Sequence, residues 1–257
     1  MTAGKQTSMR VFEIACVSCV AALSLWLVWG CVRYKFHLKF HLKFHHEWQL
    51  KDLIEQGATQ DALTLLQQEP KLVNARIPYG SNAWQMPVHV ATEYCNEEIV
   101  VWLLQNGANP NALDVSQVTP ITRVVDFWNS NTTEPSRKML ELLIANGAEI
   151  DKKSGSVGES ALHKAVWSDE NADAVRVLLD CGASIDQRRD LDGRTALMVA
   201  AGGPLKECKE IINILLDHGA DTKLKDRNHK TASMLASDVD HKDVVKLLEA
   251  VDQNHQP

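Results

Sequence analysis

Residues 87–114 read PVHVATEYCNEEIVVWLLQNGANPNALD. A short helical segment opened by a proline is followed by a second, leucine-rich run that stops at Gly107-Ala108, and the arrangement recurs along the chain. Gly-Ala pairs close leucine-rich runs at Gly107-Ala108, Gly147-Ala148, Gly182-Ala183 and Gly219-Ala220, spaced by 40, 35 and 37 residues. Twelve or thirteen residues after each pair a hydroxyl residue opens the next helix: Thr119-Pro120-Ile121-Thr122, Ser160-Ala161-Leu162-His163, Thr195-Ala196-Leu197-Met198 and Thr231-Ala232-Ser233-Met234. Met86-Pro87-Val88-His89 begins the same way, 33 residues before Thr119. Self-similarity at this period is the signature of a solenoid, whose units bury their apolar faces only against one another.

These residues resemble the ankyrin repeat, with its T-P-L-H-x-A opening, its I-V-x-x-L-L second helix and its G-A-x-x-N close. The 87–114 unit departs from that pattern mainly at Met86 and Cys95. The resemblance implies an all-α solenoid of about six helix-turn-helix units with hairpin loops over residues 47–254. The first unit lacks the opening tetrad and the last lacks the closing glycine, as terminal units that turn one face to water should. Each residue of the pattern has a physical task. The hydroxyl caps the first helix, a small residue at Ala91, Ala165 or Ala200 lets paired helices approach, and glycine permits the left-handed residue that ends the second helix. Leucine pairs such as Leu103-Leu104 and Leu215-Leu216 are expected to pack between neighbouring units. Extra residues enter between the two helices of a unit, at 129–137, near Asp169-Glu170-Asn171 and at Gly202–Lys206, and so fringe one side of the stack.

The N-terminal region is of a different kind. Residues 14–32 run nineteen positions without a charge, the length a helix needs to cross a bilayer core. Lys5 and Arg10 precede the run, and Gly30-Cys31 ends it. The segment is similar to a bacterial lipoprotein signal with Cys31 as the lipidated residue; an uncleaved single-pass anchor is the alternative. With lipidation the repeats are exported into the cell envelope. Without cleavage, Arg33, Lys35, Lys39 and Lys43 favour a cytoplasmic body on the inner membrane. Residues 35–46, KFHL-KFHL-KFHH, read as a basic amphipathic stem over 33–46, suited to anionic headgroups. Residues 255–257 form a tail.

Net charge narrows the function. Of 27 basic and 33 acidic residues, six basic and one acidic lie within 1–46, leaving 21 against 32, a formal −11, for the remainder. Such a surface repels a phosphate backbone, so nucleic-acid binding is not expected. No phosphate-cradling glycine loop, HExxH, nucleophile elbow or zinc-type cysteine pairing occurs, so neither an enzyme, a metal nor a cofactor is expected. Cys181 and Cys208 read as buried free thiols, and His89 and His163 as the tetrad histidines that bond a neighbouring turn.

What remains is surface. In an ankyrin stack the positions just after the tetrad helix and the hairpin tips face the concave groove that partners fill. Here they are Trp84, Glu93, Tyr94, Asp126, Phe127, Trp128, Trp167 and Asp169, aromatics among acids, the composition of binding hot spots. Trp102, beside a leucine pair, reads as packing. With its anchor and repeats the chain is similar in architecture to immunity proteins that sequester type VI secretion lipase toxins. That implies a tethered module, monomeric when unbound, that grips one specific protein; a membrane scaffold recruiting soluble partners is the alternative.

Overall fold

The computed structural model describes residues 45–254 apart from 80–82, 129–132, 168–170 and 204–208. The anchor, Cys31, Cys208, Asp169 and the tail therefore lie outside the described residues, as does the stem except for His45 and His46. Among the described residues twelve α-helices follow one another in six pairs: α1 (His45–Glu55) with α2 (Thr59–Gln68), α3 (Pro87–Glu93) with α4 (Glu97–Gln105), and α5 (Pro120–Asp126) with α6 (Thr133–Ala145). Then come α7 (Ala161–Ala165) with α8 (Ala172–Asp180), α9 (Ala196–Ala201) with α10 (Lys209–Asp217), and α11 (Ala232–Asp238) with α12 (Lys242–Asn254). A 3₁₀ turn, Pro70–Asn74, follows the first pair. First helices pack on first helices from the second unit to the sixth, and second helices on second from the first unit to the fifth, giving two layers. No helix among the described residues is long and apolar enough to cross a membrane.

The hydroxyl caps form as the sequence requires. Thr119, Thr195 and Thr231 accept from the amides of Thr122, Met198 and Met234. In the fourth unit the Ser160 amide donates to His163 Nδ1 at 3.3 Å. Met86 cannot cap, and α3 begins instead with Pro87, whose missing amide is no loss there. At the other end of the unit Gly107 and Gly147 have φ of +90° and +87°, and the amides of Ala108 and Ala148 then reach back to Leu103 and Leu143.

The core is one continuous seam of leucine, isoleucine, valine and alanine between the layers. Leu103, Leu140, Leu143, Leu178, Leu215 and Leu248 are all fully buried in it. Trp102 is packed against its edge.

Two polar ladders, which apolar periodicity does not show, hold the units in register. Along the loops that follow the second helices, Asn74 Nδ2 donates to the Gly107 carbonyl at 3.2 Å and Asn111 Nδ2 to the Gly147 carbonyl at 2.9 Å. Asp151 accepts from the Ser184 amide and Asp186 from the Asp221 amide. The closing Asn or Asp of each of the first four units thus hooks the next. Along the hairpin loops, main chains bond across units: the Val115 amide to Trp84 O, Gly155 to Gln117 O, Leu191 to Val157 O, and Arg227 to Asp192 O. The first of these loops is a true β-hairpin, β1 (Ile77–Tyr79) with β2 (Ala83–Gln85), Ile77 facing Gln85.

Candidate partner-binding face

The opening tetrad sets where each first helix stops. Counting nine residues from the capping position reaches Tyr94 in the second unit and Phe127 in the third, both just past the last helical turn. They are 44 % and 40 % exposed, large fractions for aromatic side chains. Val239 takes the same place in the sixth unit and is also exposed. Trp167 stands one residue earlier in its unit, at the place held by Glu93 and Asp126, and is 42 % exposed. Because α3, α5 and α7 pack in sequence, Tyr94, Phe127 and Trp167 belong to one row across three units.

Polar groups brace the row. Tyr94 Oη donates to Glu55 Oε1 at 3.2 Å. Asp126 lies 3.3 Å from Lys164 Nζ and 4.0 Å from Arg123, so its carboxylate is engaged by two cations and is not a free acid. Glu93 is half-buried. Sequence reasoning missed Glu159, a half-buried carboxylate just before α7. Burial raises the Glu159 carboxyl, while Lys164 and Arg189 pull it back down. Its position immediately before the Ser160 cap was the available signal.

Two expected members of the face are elsewhere. Trp128 is only 4 % exposed and joins the apolar core between the third unit's helices. One position beyond Phe127, its indole is packed into the core and not left at the surface. Trp84 lies on β2, at the end of α3 opposite Tyr94, and is half-buried. Leu113, Val115 and Leu191 on the hairpin loops are exposed apolar residues that no periodicity flags. Cys181 is half-buried, more open than expected because it follows α8 as its terminal residue, and burial raises its thiol.

The tetrad histidines do bond neighbouring turns. His163 Nε2 donates to Arg194 O at 3.0 Å, and His89 Nε2 to Val118 O at 3.0 Å. Burial pushes both imidazoles below the ordinary value of 6.5. In the window between that value and the depressed folded one the unfolded state binds more protons, so stability is complete above 6.5 and is lost as pH falls through the window. Thermal melts at about pH 7.5 and pH 5.5 should therefore show a lower midpoint at the acid value, with a smaller decline in His163→Gln. An equal decline in that variant would assign the acid sensitivity to other groups.

Among the described residues no group of three or more His, Cys, Asp or Glu is placed to hold a metal. The family model of ankyrin repeats matches the chain three times, at residues 88–190, 127–226 and 162–256. This chain is an ankyrin-repeat protein. It is 36 % identical over 124 residues to the tyrosine-protein kinase HTK16 of Hydra vulgaris, covering 48 % of this ankyrin protein and 15 % of the kinase. Over 135 residues it is 32 % identical to a putative ankyrin repeat protein of Rickettsia felis, covering 50 % and 55 % of the two chains. The ankyrin protein thus spans 15 % and 55 % of the length of these two relatives. Its fold is shared with a chain of the Bd0816 predatory endopeptidase from Bdellovibrio bacteriovorus in complex with immunity protein Bd3460. That match has a TM-score of 0.60 and 24 % identity, over 78 % of this chain and 96 % of the other. Ankyrin repeats mediate protein–protein binding.

Proposed function

We propose that this protein is an immunity protein, tethered to the cell envelope through its N-terminal segment, that captures and neutralises one secreted toxin on the layer of first helices. The observation that carries this reading is the row Tyr94, Phe127 and Trp167, three large, half-exposed rings on successive units at low rotameric cost. The shared fold with a chain from an endopeptidase–immunity protein complex supports an exported hydrolase as the toxin, a lipase or an endopeptidase. The test is capture of the product of the adjacent open reading frame by the full chain. Phe127→Ala or Trp167→Ala should cost about 2 kcal/mol of binding, chiefly through a faster off-rate. Unchanged affinity in both folded variants would remove the row from the interface.

Tethering has its own test, motivated by Gly30-Cys31 at the end of the uncharged run. Labelled palmitate should enter the wild-type chain in cells and be lost in Cys31→Ala. Labelling that persists, or never appears, leaves an uncleaved helix as the anchor.

A further inference from the structure

Leu191, on the hairpin loop between the fourth and fifth units, is 60 % exposed, more than any other large apolar side chain among the described residues. Two arginines flank it, one from its own loop and one from the next. Arg227 donates its main-chain amide to Asp192 O at 2.9 Å and its Nη1 to Leu191 O at 3.2 Å. Arg188 Nη1 donates to Gly193 O at 3.0 Å and to Lys225 O at 2.5 Å. Between them lies Gly193, at φ +72°. A Cβ there would stand 3.1 Å from Arg227 Cγ and 3.9 Å from Arg188 Nη1, so both side chains close over the same point of the main chain.

The arginines of this region divide into two kinds. Arg189 and Arg194 hold the carboxylates: Arg189 grips both oxygens of Asp192, at 2.7 and 2.6 Å, and Arg194 lies 3.1 Å from Asp192 and 3.4 Å from Asp226. Asp226 also accepts from the amides of Asn228 and Lys230, and Asp190, next to Leu191, pairs with Lys153. Arg188 and Arg227 are exposed, and among the described residues their guanidinium groups bond main-chain carbonyls alone. A carbonyl satisfies a donor but leaves the charge of the cation unneutralised. Nε and Nη2 of each arginine remain as donors, in the fork geometry that matches a carboxylate. Positive potential is thus concentrated around an exposed leucine on a repeat array that otherwise carries an excess of acid.

We propose that Arg188, Arg227 and Leu191 bind an acidic segment of the protein partner, a carboxylate on the two guanidinium groups and an adjacent aliphatic side chain on Leu191. The inference rests on the reading of this chain as a protein-binding module, and it concerns the hairpin loops rather than the aromatic row. A peptide suits the patch better than a phosphate backbone does. The acidic remainder of the repeats repels a long polyanion, whereas one carboxylate beside an aliphatic group meets both parts of the patch.

The experiment uses the full chain in a non-ionic detergent, labelled with ¹⁵N-arginine and titrated at low salt with acetyl-Asp-Leu-Asp-Leu-Asp-amide and acetyl-Lys-Leu-Lys-Leu-Lys-amide. The acidic peptide should move the Nε–Hε resonances of Arg188 and Arg227 saturably, each identified by its loss in Arg188→Lys or Arg227→Lys. It should bind about tenfold tighter than the lysine peptide. The Arg176 resonance should stay in place, since that guanidinium is already held by Asp173 and Glu210. Arg227→Glu keeps both carbonyl bonds of Arg188, so it should melt as the wild type does while losing the preference for the acidic peptide. Leu191→Ser should keep the preference but weaken the acidic peptide about fivefold. An acidic peptide that moves neither arginine, or moves Arg176 as far, overturns the proposal. So does a folded Arg227→Glu chain that still prefers the acidic peptide, or a Leu191→Ser chain that binds it as the wild type does. The titration needs no toxin, so its failure is separable from failure of the capture test, and a fault confined to the aromatic row leaves this patch unaffected.

Discussion

Asp114→Ala is expected to destabilise the fold by about 3–5 kcal/mol, the range for removing one partner of a buried ion pair. The carboxylate is 5 % exposed and holds three groups at once: the Arg123 guanidinium at 2.5 Å and the amides of Ser116 and Val118 at 2.8 and 3.0 Å. Truncation leaves a largely buried cation with only the longer Asp126 contact, at 4.0 Å, and opens the turn whose Val118 carbonyl receives His89. Asp114→Asn keeps an acceptor for the amides and should lose less. Asp190→Ala is the control: Asp190 pairs with Lys153 at 2.5 Å, but both side chains are well exposed, and the loss should be below about 1 kcal/mol. Urea unfolding followed by circular dichroism measures all three. Equal losses for Asp114→Ala and Asp190→Ala would mean that the turn is held by its main chain alone.

Trp128→Ala should cost about 3–5 kcal/mol of stability, as a large ring removed from a packed core does. Phe127→Ala, one residue away but 40 % exposed, should stay within about 1 kcal/mol in stability while weakening the partner. Trp128→Phe refines the case. The Trp128 indole nitrogen is buried without a hydrogen-bond partner among the described residues, so replacing it by phenyl removes an unmet donor along with some volume and should recover most of the loss. Paired thermal melts and off-rates separate the two positions. A Trp128→Ala chain of wild-type stability with weakened binding would return the indole to the interface.

The two variants also mark how far the face can be read from residue order. Tyr94, Phe127 and Trp167 follow from counting along the tetrad, because the helix ends where its length dictates and the next side chains are left at the surface. Trp128 obeys the same count and is packed inward, which residue order alone does not show. Asp126 reads as a free acid until Lys164, 38 positions later, is seen beside it. Glu159 and Leu191 have no periodic signature at all. Their environments come from loops of neighbouring units, and only folding brings those together.

The amino-acid sequence by itself determined the repeat: six helix pairs, their caps, their glycine ends and the leucine seam, because each is a local requirement of helix geometry that recurs with the period of the unit. Tertiary structure alone decided what lies between units. The Asn and Asp hooks from one loop to the next, the main-chain bonds between hairpin loops and the bond from His89 to the Val118 carbonyl all depend on how adjacent units dock. The physical reason is one of range. Capping and helical periodicity act within a few residues, whereas a buried hydrogen bond or ion pair between loops is fixed by positions about one repeat apart, and nothing in the local pattern specifies the distance between them.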